Sequence, residues 1–241
     1  IDRSNLLNYP WREVAAYCSK DARMTWFLRQ KNQSQLVDGL LDASKLFLDS
    51  TKVNVMMESR GIRVDMGALA ELEVEAREAM VTAEGEIAQS DIGRFVVEYR
   101  GRPFSFTRNE DVALVLYTGL KVPKVYVTEK KEIPAVHEVA LKEAANHSAE
   151  AAWFVGVVSK YRSAHKLLNT YLENFRSSLS DDGLIHPSIN LHTARTYRSS
   201  CSKPNLQNQP KRDPEMARIR RVVVPTQGDV LAEADYSGAE V

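Results

Sequence analysis
The chain has 241 residues, 44% hydrophobic and 27% charged, with 32 basic residues balanced by 32 acidic ones. That is enough apolar material for one large core or two small ones, and it excludes a disordered chain. Two cysteines, Cys18 and Cys201, lie far apart with no CxxC pair, which excludes a disulfide scaffold and favours a reducing, cytoplasmic setting.

The longest charge-free apolar run, near 151–159, is less than half the roughly 18–20 residues of a transmembrane helix, so no membrane span is expected. The start at Ile1 shows no basic-then-apolar leader, so no secretion signal is expected either. Residues 11–31, following Pro10, place Val14, Ala15, Cys18, Ala22 and Trp26 close to a helical period and predict a helix. A second helix is predicted over 36–57, with room for a break near 42–44. Arg60-Gly61 ends it, and residues 62–65 read as a short strand.

Residues 66–88 predict a long amphipathic helix on Leu69, Leu72, Ala76, Met80 and Ile87, with Glu71, Glu73, Glu75 and Glu78 as its solvated face. Residues 91–109 read as irregular, 112–120 as a short helix, and 124–131 as an exposed charged loop. Two helices are expected over 138–175, then a strand-like stretch over 185–191 and an aperiodic loop over 193–210. Residues 222–224 and 230–235, separated by a Pro-Thr-Gln-Gly-Asp turn, predict an antiparallel hairpin. The fold class expected is α+β and helix-dominated.

Charge is uneven although the net is zero. Between Thr193 and Arg221 stand eight bases (Arg195, Arg198, Lys203, Lys211, Arg212, Arg218, Arg220, Arg221) against Asp213 and Glu215. The next twenty residues hold Asp229, Glu233, Asp235 and Glu240 and no base. A solvated basic loop beside an ordinary strand explains this, and so does a site for phosphate and a divalent metal. The five histidines show no metal-ligand spacing, and there is no P-loop or Rossmann glycine pattern.

The sharpest segment runs Thr193-Ala194-Arg195-Thr196-Tyr197-Arg198-Ser199-Ser200, then Pro204-Asn205-Leu206-Gln207-Asn208-Gln209-Pro210, then Asp235-Tyr236-Ser237-Gly238-Ala239-Glu240. Amides and an arginine can reach minor-groove acceptors without reading sequence. A carboxylate at a strand end can hold a hard cation. Ser237-x-x-Glu240 is also a capping box, and Tyr17 and Asp21 are a common surface pair one helical turn apart.

Together these segments resemble the family A DNA polymerases, with their T-x-T-G-R-x-S-S, P-N-L-Q-N-x-P and D-Y-S-x-x-E signatures. Tyr161-Arg162-Ser163-Ala164-His165-Lys166-Leu167 through Tyr171 resembles the family's Y-R-x-x-x-K-L-x-x-T-Y thumb segment. Glu58-Ser59-Arg60-Gly61-Ile62-Arg63-Val64-Asp65 resembles its E-x-R-G-I-x-V-D motif. Two departures stand out: Tyr197 replaces the family glycine, and Gly238-Ala239 replaces Gln-Ile.

The resemblance implies a partial right-hand polymerase fold. Residues 1–35 would end a 3′–5′ exonuclease domain, 36–65 would form a connector leading into the palm, 66–180 the thumb and 181–241 the first part of the palm. It implies template-directed DNA synthesis with Mg²⁺, on primer-template duplex DNA and deoxynucleoside triphosphates. Asp235 and the Tyr236 carbonyl would bind metal, and Arg162, Lys166, Arg198, Asn205, Gln207 and Asn208 would hold DNA. Glu240 would exclude ribonucleotides. Tyr17 would orient the attacking water of the exonuclease, and Asp21 would bind its metal.

A monomer is expected, in the cytoplasm of a bacterium or of a virus-infected host. The exonuclease D-x-E motif, the fingers and the second palm aspartate are not in the sequence, so the chain is read as an internal slice, inactive by itself. Two other readings are a non-catalytic duplex-binding module derived from a polymerase and a single-subunit RNA polymerase. Glu240 and the Tyr17/Asp21 pair argue against the latter.

Overall fold
A computed structural model describes residues 3–37, 39–124, 136–196, 198–211 and 213–235. The chain divides into two compact units, Ile1–Met56 and Met57–Val241. In the first, a short 3₁₀ turn at Arg3–Asn8 leads through Pro10 into α1 (Trp11–Gln33), and α2 (Gly39–Arg60) begins beyond it. Proline suits this start, because its fixed φ and missing N–H cost nothing at a helix entrance. The helix runs through 42–44 without a break.

In the second unit, α2 ends before Gly61, where φ is +67° and a side-chain carbon would stand 2.8 Å from the His186 ring. Strand β1 (Ile62–Val64) follows, then α3 (Met66–Gln89), whose first turn is capped by the Asp65 carboxylate accepting from the Ala68 N–H at 3.0 Å. Helix α4 (Asp91–Arg100) replaces the irregular stretch expected there. Its stop signals are local: the Ser90 hydroxyl accepts from the Gly93 N–H, and Gly101 closes the end in the left-handed region at φ +66°.

Helix α5 (Asn109–Ala113) passes into π-helical turns at Leu114–Gly119. The charged loop expected over 124–131 lies mostly outside the described residues. Helices α6 (Glu138–Ala145) and α7 (Ala149–Lys166) follow, the latter capped by Ser148. It continues through π turns at Leu167–Leu172 into α8 (Glu173–Ser177).

Strands β2 (Leu184–Ile185), β3 (Ser188–Asn190) and β4 (Ser200–Ser202) come next. The expected strand over 185–191 is thus split at Pro187, which cannot donate to a ladder. The chain then forms α9 (Pro214–Ala217), a 3₁₀ turn at Arg218–Val222 and β5 (Val223–Val224).

The expected hairpin does not form. Strand β5 pairs antiparallel with β1, with Val223 opposite Val64 and Val224 opposite Arg63, and the sheet order is β2-β1-β5. Residues 230–235 belong to no strand among the described residues, and Val230 and Leu231 are 86% and 65% exposed. A two-residue strand offers a return segment little ladder and no apolar surface to cover. A second pair, β3 with β4, sets Ile189 opposite Cys201.

Two apolar clusters hold this unit together. Ile87, Val96, Phe106, Leu116, Phe154 and Val158 anchor one; Leu69, Leu172, Phe175, Ile185, Ile219 and Val222 anchor the other. Helices α3 and α7 contribute to both, so they form the spine of the unit. Each fully buried large side chain contributes about 1.5–3 kcal/mol. Glu73 and Glu75 are not simply a solvated face. Arg176 grips Glu73 at 2.7 and 2.8 Å, and Arg218 reaches Glu75 at 2.5 Å, tying α3 to α8 and to the 3₁₀ turn before β5.

Candidate DNA interface
The amide-rich loop after β4 is organised by its own side chains. Cys201 is buried and donates from Sγ to the Pro204 carbonyl, and the Lys203–Pro204 peptide is cis. The Asn205 Oδ1 accepts from the backbone N–H groups of Gln207 and Asn208 at 3.1 and 3.2 Å. Such a turn trades the side-chain acceptor for backbone order and leaves the amide nitrogen to donate elsewhere. Gln207 donates from Nε2 to the Ser199 hydroxyl at 2.9 Å, and Gln209 donates from Nε2 to the Asn205 carbonyl at 3.1 Å. The buried Gln209 Oε1 has no hydrogen-bond partner among the described residues. Asn205, Gln207, Asn208 and Arg198 are all exposed, so four of the expected DNA contacts lie on one short, pre-shaped stretch.

Arg162 and Lys166 occupy successive turns of α7 but have different surroundings. The Arg162 Nε donates to the Phe106 carbonyl at 2.8 Å, and Nη2 donates to Asn109 Oδ1 at 3.0 Å. The side chain is half-buried, and burial holds its guanidinium below the usual arginine range. Lys166 is exposed at the end of the helix. The structure thus spends Arg162 on fastening the 104–109 segment to α7 and leaves Lys166 to solvent.

That segment carries a further lock. Phe106 stacks on Tyr161 with ring centroids 4.1 Å apart, Phe104 meets Phe106 and Phe154 edge-on, and Arg102 pairs with the fully buried Asp111. The pairings of Arg102 and Arg162 were not readable from local sequence pattern. Nor was Asp213, which caps α9 through the N–H groups of Glu215 and Met216 and accepts from the Ser163 hydroxyl at 3.3 Å. Asp213 therefore joins the helix carrying Lys166 to the segment that follows the amide loop.

Asp235 is exposed at the end of the described chain. Tyr236 and Glu240, and the divergent Tyr197, lie outside the described residues. No group of three or more histidine, cysteine or carboxylate side chains placed to hold a metal occurs among the described residues. Asp235 alone does not supply the donor set that Mg²⁺ requires, since that ion takes carboxylates together with substrate phosphates. In the other unit, Tyr17 and Asp21 lie one turn apart on α1; Tyr17 is partly buried and Asp21 exposed. Among the described residues no helix is long and apolar enough to cross a membrane.

Comparison with known proteins gives a consistent result. The model of DNA polymerase family A matches residues 69–241. A thermostable DNA polymerase I of Thermus filiformis is 33% identical over 192 residues, covering 79% of this chain and 22% of the relative. DNA polymerase I of Pseudomonas aeruginosa is 30% identical over 234 residues, covering 95% of this chain and 24% of the relative. The chain thus spans about a quarter of the length of these relatives.

Among solved structures, the POL domain of Pol1 from M. smegmatis, in complex with DNA primer-template and dNTP, superposes with a TM-score of 0.68 at 27% identity. The match covers 83% of this chain and 33% of that one. The helix-dominated fold with small antiparallel sheets is therefore part of a polymerase fold, and the chain belongs to the family A DNA polymerases.

Proposed function
We propose that this chain is the DNA-holding part of a template-directed DNA polymerase. The reading rests above all on the amide loop, whose exposed Asn205, Gln207 and Asn208 sit on a turn fixed by its own hydrogen bonds beside exposed Arg198. Donors held in place this way suit minor-groove acceptors, which every base pair presents in nearly the same positions. Lys166 and Arg198 would supply phosphate contacts, which position a duplex without reading its sequence.

In this reading residues 66–180 are the thumb, 181–241 begin the palm, and Tyr17 and Asp21 belong to the end of a 3′–5′ exonuclease domain. Mg²⁺ is the ion proposed for the complete protein, with Asp235 and the Tyr236 carbonyl contributing to its site. The described donors do not complete that site. Glu240 is proposed to crowd the 2′-hydroxyl of a ribonucleotide.

Primer extension by the complete protein tests the proposal. Asp235→Ala is expected to abolish extension while leaving duplex binding intact, and Glu240→Ala to raise ribonucleotide incorporation relative to deoxyribonucleotide incorporation. Unchanged extension by the Asp235 variant would overturn the catalytic reading. Duplex binding without extension by the unaltered complete protein would leave a binding module instead.

A further inference from the structure
A cavity of about 670 Å³ opens between α3, α4 and the 103–107 segment, away from the amide loop. Its floor is apolar: Ile87 is 2% exposed, Phe106 4% and Tyr161 8%, with Phe104 beside them. The space exists because of a tight corner. Gly93 lies so close to the Ile87 carbonyl that a side-chain carbon there would stand 2.1 Å from the oxygen, so α4 turns sharply off the end of α3.

The mouth is charged and wide. Glu84 and Glu98, both exposed, line it from the two helices, and burial together with the nearby Glu84 carboxylate holds the Tyr161 phenol above its ordinary value. The single base at the mouth, Arg94, is already paired with Asp91 of its own helix. Val97, 48% exposed, carries the apolar floor out onto the open face of α4. An apolar depression of this size is ordinary for a ligand site. Behind the floor Arg102 is paired with Asp111, and Arg162, held on the Phe106 carbonyl, offsets only part of the charge of the two mouth carboxylates, which leaves a negative potential over the opening.

We infer that this cavity is a docking site for a partner peptide that inserts an aromatic or aliphatic side chain between flanking lysines or arginines. The apolar anchor would cover Phe104, Phe106 and Val97, and the flanking cations would face Glu84 and Glu98. The exposed continuation along α4 favours a chain segment over a small enclosed ligand. None of the residues lining the cavity is among those proposed to hold DNA. It is independent of the polymerase reading.

The test is backbone-amide NMR on the 241-residue chain, titrated with acetyl-Lys-Lys-Phe-Leu-Lys-Lys-amide. Saturable shifts are expected at Gly93, Val97 and Thr107. The peptides acetyl-Glu-Glu-Phe-Leu-Glu-Glu-amide and acetyl-Lys-Lys-Ser-Ser-Lys-Lys-amide should each bind at least about tenfold more weakly. The double variant Glu84→Gln/Glu98→Gln, altered only at exposed positions, should weaken the basic peptide about fivefold and leave the amide spectrum folded. Shifts spread over the basic or amide-loop surfaces would overturn the site. Equal affinity for the acidic peptide, or an unchanged affinity in the double variant, would overturn the charge argument. Benzamidinium binding as tightly as the peptide would replace the peptide with a small organic cation and overturn the assignment of the occupant.

Discussion

Arg102 holds the Asp111 carboxylate in a two-pronged grip, Nη1 to Oδ2 at 2.6 Å and Nη2 to Oδ1 at 2.7 Å, while the Ser105 N–H donates to Oδ2 at 3.0 Å. Asp111 is completely buried, and Arg102 keeps a third of its side chain in solvent. The pair closes the 103–108 segment into a loop whose aromatic side chains then pack on α7. Planar pairing of this kind specifies geometry, because both bonds are lost if either plane turns.

Burial alone would push the Asp111 carboxyl up, but the Arg102 and Ser105 hydrogen bonds outweigh it and hold the group below its ordinary value. The folded value is depressed, so its stabilisation is present above the unfolded value of about 3.9 and is lost as pH falls through the folded one. Asp111→Asn is expected to cost about 3 kcal/mol at neutral pH, the range for breaking a buried pair. It should also flatten the loss of stability in the window below about pH 4. Urea denaturation of both proteins between neutral pH and pH 3 checks this. Parallel stability curves would remove Asp111 as a source of the acid sensitivity.

Arg162 and Lys166 should separate in solution as they do in the structure. Lys166→Ala is expected to weaken duplex binding and lower the salt slope of log K by about 1, the signature of one lost phosphate contact, with little change in thermal stability. Arg162→Ala is expected to lower thermal stability, because the Phe106 carbonyl and Asn109 lose their partner. Its effect on the salt slope should be smaller. Fluorescence anisotropy at several salt concentrations, paired with melting curves, measures both; a larger slope change for Arg162→Ala would place its guanidinium on the DNA after all.

Gly61 and His186 make a second such test, of packing rather than charge. The His186 Nδ1 lies 2.7 Å from the Glu58 carbonyl, and the ring covers Gly61. Gly61→Ala must accept both a left-handed backbone and a clash with the ring, at about 2 kcal/mol. In Gly61→Ala/His186→Ala, read against His186→Ala alone, the ring clash is gone and the backbone cost and a tight 3.1 Å approach to the Ile185 carbonyl remain. Calorimetric melting of the single and double variants should therefore show partial recovery. Equal melting temperatures for the two would mean that the ring moves aside freely.

How far these features were legible in the sequence depended on how local their causes are. Helix α3 was readable because its cap, Asp65, and its apolar period lie within the helix or beside it. Helix α4 was missed although Ser90 and Gly101 mark both ends; Gly93, a poor helix former, interrupts the short apolar pattern between them. The hairpin expected beyond Val222 failed for a non-local reason. Alternation and a turn describe a strand but not its partner, and β1, far back in the chain, takes the edge of β5. The same limit hid the partners of Glu73 and Glu75, since Arg176 stands 103 residues after Glu73.

The motif proposed to face DNA was visible because its residue types are unusual together. What the sequence did not contain was the division of labour inside it, with Asn205 shaping the turn and Arg162 spent on the loop beside α7. Asn205 offers the finest discrimination between shaping and binding. Its Oδ1 serves the turn, whereas any contact to a minor-groove acceptor must come from its nitrogen. Asn205→Asp keeps an acceptor for the Gln207 and Asn208 N–H groups and removes the donors, so stability should hold while duplex affinity falls.

A new negative charge would by itself repel DNA, so Ser202→Asp supplies the control, with the same charge three residues away at an exposed position not proposed to touch DNA. If Asn205 donates to DNA, its aspartate variant should lose more affinity than the control, and the excess should persist at high salt, where simple repulsion is screened. Asn205→Ala should lose both stability, by about 1 kcal/mol, and affinity. Anisotropy in low and high salt, set against melting temperatures, reads all three. Equal losses for the two aspartate variants that vanish together in salt would leave Asn205 as a turn residue alone.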